Sequence, residues 1–328
     1  MNRPAAARLL APLSLFALAF LFLLATSTIV RAQQPPSADP WGFDDEVKVE
    51  TWGDILRPQA LDIALTAGLI GFALVSFSRR SKVLKYTTLA LTVAYLGVLK
   101  STMISVTDIF RLVDLNLPEF KYSVAWYMFA TFAVVSTVVW GRLYCGRMCA
   151  FGAFTQLLDA TVPKRFRLEP PLWLERRASF IKYGLLVAVV GYYIATKQTS
   201  VYRYVEPFWM FTRSADALLW TMLAVLLLAT LVVRNLYCRF LCPVGAMLGI
   251  ISQITTLLPI KRWSECKTCK ICERACEWGA IQGPKIIKSE CVRCDDCERI
   301  YADKKACVHW LMIVKKERWA REGIKGTA

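Results

Sequence analysis

All twelve cysteines of this chain fall into four tight groups. Two groups have iron–sulfur spacing: Cys266-x2-Cys269-x2-Cys272-x3-Cys276 and Cys291-x2-Cys294-x2-Cys297-x9-Cys307. Soft thiolates suit iron. The x2 spacing lets one short loop cover three corners of a cubane, while the fourth ligand comes from elsewhere, in two-cluster ferredoxins from the other motif. On that rule Cys266, Cys269, Cys272 and Cys307 hold one [4Fe–4S] cluster, and Cys291, Cys294, Cys297 and Cys276 hold the second. Zinc also takes four thiolates, but zinc ribbons favour two-plus-two spacing over two successive triplets. Two details depart from the usual ferredoxin pattern. Cys307 follows Cys297 after nine residues, and Glu277 stands where a proline usually follows the fourth cysteine. A carboxylate at that place disfavours the reduced, more negative state of a neighbouring cluster and lowers its potential.

The other two groups are the pairs Cys145/Cys149 and Cys238/Cys242. They belong to an internal repeat. Tyr144-Cys145-x3-Cys149-x2-Gly152-Ala153 matches Tyr237-Cys238-x3-Cys242-x2-Gly245-Ala246, and each copy follows a long apolar run. If a helix continues through each pair, the i and i+4 positions put both sulfurs on one face. Repeated halves with functional groups at their interface are a recurring plan in membrane proteins. Together, the pairs offer four thiolates for a further iron–sulfur centre or a copper ion. A dithiol relay and four inert buried cysteines are the alternatives. The basic neighbours Arg147 and Arg239 favour thiolates.

His309 is the sole histidine, so neither a bis-histidine haem b nor a Cys-x-x-Cys-His haem c is expected, and a catalytic zinc site built on several histidines is excluded. The formal net charge is +16, yet 56% of the residues are hydrophobic. The cations gather in short loops between apolar runs, which is the pattern of a membrane protein rather than a nucleic-acid binder.

The elements that must position the cysteines follow from hydropathy. Residues 1–32, with Arg3 and Arg8 before the apolar run Leu9–Val30 and then Val30-Arg31-Ala32, read as a signal peptide or an uncleaved anchor. Residues 33–58 are acidic and turn-rich and read as a periplasmic arm. Five spans follow at about 60–78, 86–106, 122–143, 178–196 and 217–236, each expected to be long enough to cross a bilayer core, which takes ~20 residues. Arg79, Arg80, Lys82 and Lys85 in one loop, and Arg147, Lys164, Arg165, Arg167, Arg176 and Arg177 in another, mark a cytoplasmic side. The expected fold is mainly α: a polytopic transmembrane domain over 59–260, a cytoplasmic α+β two-cluster ferredoxin domain over 261–312, and a basic tail over 313–328. Both cysteine pairs then sit at cytoplasmic helix ends, on the same side as the ferredoxin domain, whose cysteines are not expected to form disulfides because a cytoplasmic domain keeps its thiols reduced. Residues 246–260 read as a surface or re-entrant helix. Asp62 and Lys100 are expected to snorkel at the external ends of their helices. Glu206, in the aromatic loop Tyr204–Trp209, belongs to an interfacial belt or to a quinol or partner site.

These residues resemble the NosR/NirI/NapH group of membrane-bound polyferredoxins over roughly 60–312. Gly141-Arg142-Leu143-Tyr144-Cys145-Gly146 through Phe151-Gly152-Ala153 resembles that family's first membrane-edge motif, and Leu236 through Ala246 its second. The loop Val205-Glu206-Pro207-Phe208 is also similar. Ala150 stands where the family usually has proline after the second cysteine. The stretch Glu298–Cys307, with Tyr301 and Asp303, is closest to the NosR/NirI branch. The resemblance implies an electron-transfer component of the bacterial inner membrane that supports a periplasmic respiratory reductase, typically nitrous oxide reductase in denitrification. A NapH-like quinol-oxidising subunit, a metal-centre assembly factor and a redox regulator are the alternatives. Proteins of the NosR type carry a large periplasmic flavin-binding domain that residues 33–58 are too short to supply. A separate flavoprotein or reductase partner, with the quinone pool as a further one, is therefore expected.

Overall fold

The computed structural model describes residues 52–163, 167–168, 172–211, 216–255, 269, 271–282 and 285–321. The expected signal or anchor, most of the arm, Cys266 and the end of the tail lie outside the described residues. The chain is mainly helical, as its apolar runs demand. Helix α1 is Trp52–Arg79, and α2 is Lys82–Thr92, which continues as a π-helical turn over Val93–Leu99. Helix α3 is Val106–Val113 and α4 is Val124–Trp140. Helix α5 is Leu143–Arg147, α6 is Ala150–Thr161, α7 is Leu172–Ala178 and α8 is Ile181–Thr196. The short α9 spans Tyr202–Val205, and α10 is Ala217–Val232. A π-helical turn over Tyr237–Leu241 precedes α11, Pro243–Ile251.

Five of these helices coincide with the expected spans, but not with their lengths. Gly53–Arg79 and Lys82–Leu99 are long and apolar enough to cross a membrane, whereas Val124–Trp140, Ile181–Thr196 and Ala217–Val232 are shorter apolar helices. The third span, expected to reach 143, stops at Trp140. There Gly141 adopts φ 95°, a left-handed conformation that only glycine enters without strain, and the chain turns back. Of the run expected over 246–260 as a surface or re-entrant helix, residues 246–255 are described, and they bury one face while Ile250 and Ile254 stay exposed. Val244, Ala246 and Leu248 are buried in the main core with Tyr144, Phe151 and Tyr237.

The C-terminal region is a small α+β unit. Helix α12 (Ile271–Ala275) precedes a two-stranded antiparallel ribbon, β1 Ile281–Gln282 and β2 Lys285–Ile286, in which Ile281 pairs with Ile286. Helices α13 (Asp296–Ala302) and α14 (Val308–Arg321) complete it.

This unit docks on one end of the helical layer through ion pairs. Arg147 Nη2 meets Asp295 Oδ2 at 2.7 Å, Lys85 meets Asp296 at 2.6 Å, Lys182 meets Glu290 at 2.5 Å and Arg80 meets Glu298 at 2.8 Å. At the opposite end Lys100 pairs with Asp62, to which Tyr95 also donates its hydroxyl at 3.2 Å, and both charges stay about a third exposed.

Candidate redox centres

The four repeat cysteines stand in two matching hairpins. In the first, Cys145 lies in α5 and Cys149 is the extended cap residue of α6, φ −76° and ψ 116°. In the second, Cys238 lies in the π-turn and Cys242 is the extended cap of α11, φ −73° and ψ 112°. The helix therefore breaks between the two cysteines of each pair, contrary to the continuous i, i+4 geometry expected. The break serves the sulfur. Gly245 donates its amide N–H to Cys242 Sγ at 3.2 Å, and Gly152 donates its own to Cys149 in the same way. The Cys-x2-Gly part of the repeat thus places an unpaired helix N-terminal amide on the second sulfur of each copy.

The hairpins converge. Cys149 is within electrostatic reach of Cys145 and Cys242, and Cys238 within reach of the other three. The cation beside them is Arg142. Its Nη2 lies 3.9 Å from Cys145 Sγ and 2.8 Å from where a Cβ on Gly245 would stand. Arg147 and Arg239, expected to support the thiolates, are engaged elsewhere. Arg147 is held by Asp295 and by Ser76 Oγ at 2.5 Å, and Arg239 pairs with Glu175. Arg142 escapes a reading of the sequence because nothing there shows a long side chain folding back three residues onto a thiol.

A second group forms in the C-terminal unit. A small cavity is lined by Cys276, Cys291, Cys294 and Cys297 together with Trp278, Val292 and Asp295. These are the four cysteines assigned by spacing to the second cluster. Burial pushes the thiols up, Cys291 to about 11, with Cys276 and Cys294 also raised. Bare, they hold their protons; a soft metal would displace them. Among the described residues no three histidine, cysteine, aspartate or glutamate side chains already stand at metal-holding positions. The fit therefore rests on the sulfur-lined cavity here, and on the amide-and-guanidinium cradle around the repeat cysteines. For the other set, Cys272 Sγ lies 3.9 Å from the carbonyl oxygen of Cys297, and Cys307 is buried. Glu277 is partly buried, and desolvation pushes its carboxyl up from the usual carboxylate range.

At the far end, Glu206 is buried. Its carboxylate accepts from Ser105 Oγ at 2.6 Å and from the Val106 amide at 2.9 Å, at the start of α3. Desolvation raises its pKa from 4.5 to about 7.

Comparison with known proteins divides the chain along the same lines. A family model described as "4Fe-4S binding domain" matches twice, over residues 122–169 and 217–262, once on each cysteine hairpin. A model described as NosR matches residues 264–318. The "Regulatory protein NosR" of Pseudomonas aeruginosa is 30% identical over 76% of this chain, and the "Protein NirI" of Paracoccus denitrificans is 28% identical over 79%. The "Ferredoxin-type protein NapH" of Escherichia coli is 29% identical over 51% of this chain and 63% of its own. The chain spans 37% of that NosR and 41% of that NirI. No solved structure matches.

Proposed function

Because this chain belongs with the NosR, NirI and NapH iron–sulfur proteins, we propose that it is a multi-pass inner-membrane electron carrier supplying a periplasmic respiratory reductase system of the NosR kind, that of nitrous oxide reduction. The observation that carries this reading is the coincidence of sequence family and geometry: a 4Fe–4S family matches both cysteine hairpins, and a cavity in the NosR-matched region is lined by four cysteines.

In this reading Cys291, Cys294, Cys297 and Cys276 hold one [4Fe–4S] cluster, and Cys266, Cys269, Cys272 and Cys307 the other. Such clusters supply one-electron transfer without bond making. The protein's own residues bind and insulate them. The Trp278, Val292 and Ile281 side chains keep water from the sulfurs, and the ion pairs of Arg147, Lys85 and Lys182 fix the domain against the helical layer. The five apolar helices cross the membrane, and the C-terminal domain faces the cytoplasm, on the side marked by the cationic loops. Electrons leave to a flavoprotein or reductase partner, and quinone is the other candidate carrier.

The test is anaerobic purification from membranes with iron and sulfide quantitation and EPR. At least about eight irons per chain are expected, together with reduction of a partner reductase; zinc in place of iron overturns the reading. A redox-regulatory role is the second reading, favoured by the name "Regulatory protein NosR" that the relatives carry. It predicts negligible electron flux through the purified protein but an expression change in Cys291→Ser cells.

A further inference from the structure

The sequence places the repeat cysteines at one edge of the helical layer; their contacts place them inside it. Helix α2 and its π-turn give a ruler. One end is tied to the C-terminal unit by Lys85–Asp296, and the other ends at Lys100, paired with Asp62. Thr92, between these ends, donates its hydroxyl to the carbonyl of Arg147 at 2.9 Å. At ~1.5 Å per helical residue, Thr92 is on the order of 10 Å from Lys85. Farther along, a Cβ on Gly97 would stand 3.3 Å from Ala150, the residue after Cys149. Tyr144, the residue before Cys145, accepts a hydrogen bond from the amide of Ile104 at 3.1 Å. Phe151 packs against Phe208, with centroids 6.1 Å apart, and against Tyr237 at 5.1 Å. Ile104 and Phe208 belong to the loops at the end away from the C-terminal unit.

The following helices then run back. Ala153 of α6 packs with Leu89 and Val93, and at the far end of the second hairpin Ser252 donates to the carbonyl of Lys288 at 3.2 Å. Both motifs are thus the tips of re-entrant hairpins. Irregular backbone at membrane depth is tolerated only where protein buries it, and here Tyr144 and Tyr237 are buried. Broken elements from two repeats meeting midway are a known way to build a site inside a membrane.

We infer that Cys145, Cys149, Cys238 and Cys242 hold an iron–sulfur centre inside the helical layer, and that this centre is the electron's stepping stone between the C-terminal domain and the opposite face. The inference rests on the iron–sulfur reading above and adds the route across. One flank is close. Arg142, which reaches Cys145 Sγ, also donates through Nη1 to the carbonyl of Ser289 at 2.7 Å, two residues before Cys291. The other flank is the loop face carrying Glu206 and Trp209, where a partner's redox group would accept or donate. A centre held by these cysteines would take one electron from one flank and pass one to the other. No bond forms or breaks and no proton is transferred. It divides a ~30 Å apolar gap into two shorter jumps.

The experiment uses the full chain in lipid nanodiscs, prepared anaerobically, as wild type and as the Cys145→Ser/Cys242→Ser variant. Wild type is expected to hold about twelve irons and the variant about eight, with the EPR signals of the C-terminal clusters retained. The signal lost should resist power-saturation relief by a water-soluble paramagnetic ion, whereas the C-terminal signals respond to it. In proteoliposomes given dithionite outside as the one-electron donor, the variant should reduce an enclosed acceptor at least tenfold more slowly. If the cysteine variant does not fold, Gly245→Ala serves instead; its methyl would stand 3.4 Å from Cys242 Sγ and should alter one EPR signal alone. About eight irons in wild type, unchanged in the variant, or an unaltered spectrum in Gly245→Ala, overturns the inference and leaves the two-cluster reading intact. A wild type free of iron overturns that reading itself.

Discussion

The two ends of the helical layer use charge in different ways. At the end carrying the C-terminal domain, cations of the helices meet acids from far along the chain, and the central pair, Arg147–Asp295, is 1% exposed on both sides. At the other end the pairs are wetter, with Lys100 and Asp62 each about a third exposed. Lys197 meets Asp114 with 61% and 31% exposure, and the one deeply buried acid, Glu206, is held by a hydroxyl and an amide instead of a cation. The first end is a docking surface that must stay closed. The second is a rim in which Glu206 is a buried carboxyl. Arg80, Lys85 and Arg147, cations gathered near helix ends, are thus the sockets of the domain.

Breaking the docked end should have the largest effect. Arg147→Ala leaves Asp295 buried without its partner, a change that costs about 3–5 kcal/mol. Residues 289–302 should then exchange amide hydrogens far faster while the helices stay protected. Retained protection there would show that the pair is incidental. Gly146→Ala should follow at about 1–3 kcal/mol, because a Cβ there would stand 2.2 Å from the Val292 carbonyl oxygen, too close for the domain to seat. Limited proteolysis between the helical layer and the domain would report it.

At the other end Glu206 governs pH dependence. Its folded value of about 7 lies above its ordinary 4.5, so the folded state holds the extra proton. Its contribution is complete below pH 4.5 and is lost as pH rises through about 7. Glu206→Gln should flatten that fall. Thermal melts at about pH 5.5 and about pH 8, on either side of the folded value, compare the two proteins, and an unchanged pH slope would mean the carboxyl is already ionised at low pH. The smallest effect belongs to Lys197→Ala, whose exposed pair should leave the melting temperature unmoved, as most surface pairs do. A clear loss there would put the two ends on an equal footing.

Much of this was legible from residue types. Apolar runs locate the helices α1, α2, α4, α8 and α10, and cysteine spacing picks out the four residues that line one cavity. The ends of the helices were not. Gly141, in sequence simply part of a motif, is the turn that shortens α4 and sends Cys145 inward. Hydropathy cannot distinguish an apolar helix that crosses from an apolar hairpin that enters and returns, since both bury the same residue types. Nor could local sequence show that Arg142 rather than Arg147 faces sulfur, because that choice is settled by Asp295, which lies 148 positions beyond Arg147.

The close seating of Val292 over Gly146 makes a missing side chain a condition of docking. The Val292 carbonyl oxygen stands 2.2 Å from where a Cβ on Gly146 would be, so the C-terminal unit and the first hairpin register against each other backbone to backbone. Cys145 and Cys291, each the neighbour of one member of that contact, therefore share one seat, and whatever shifts one cysteine shifts the other.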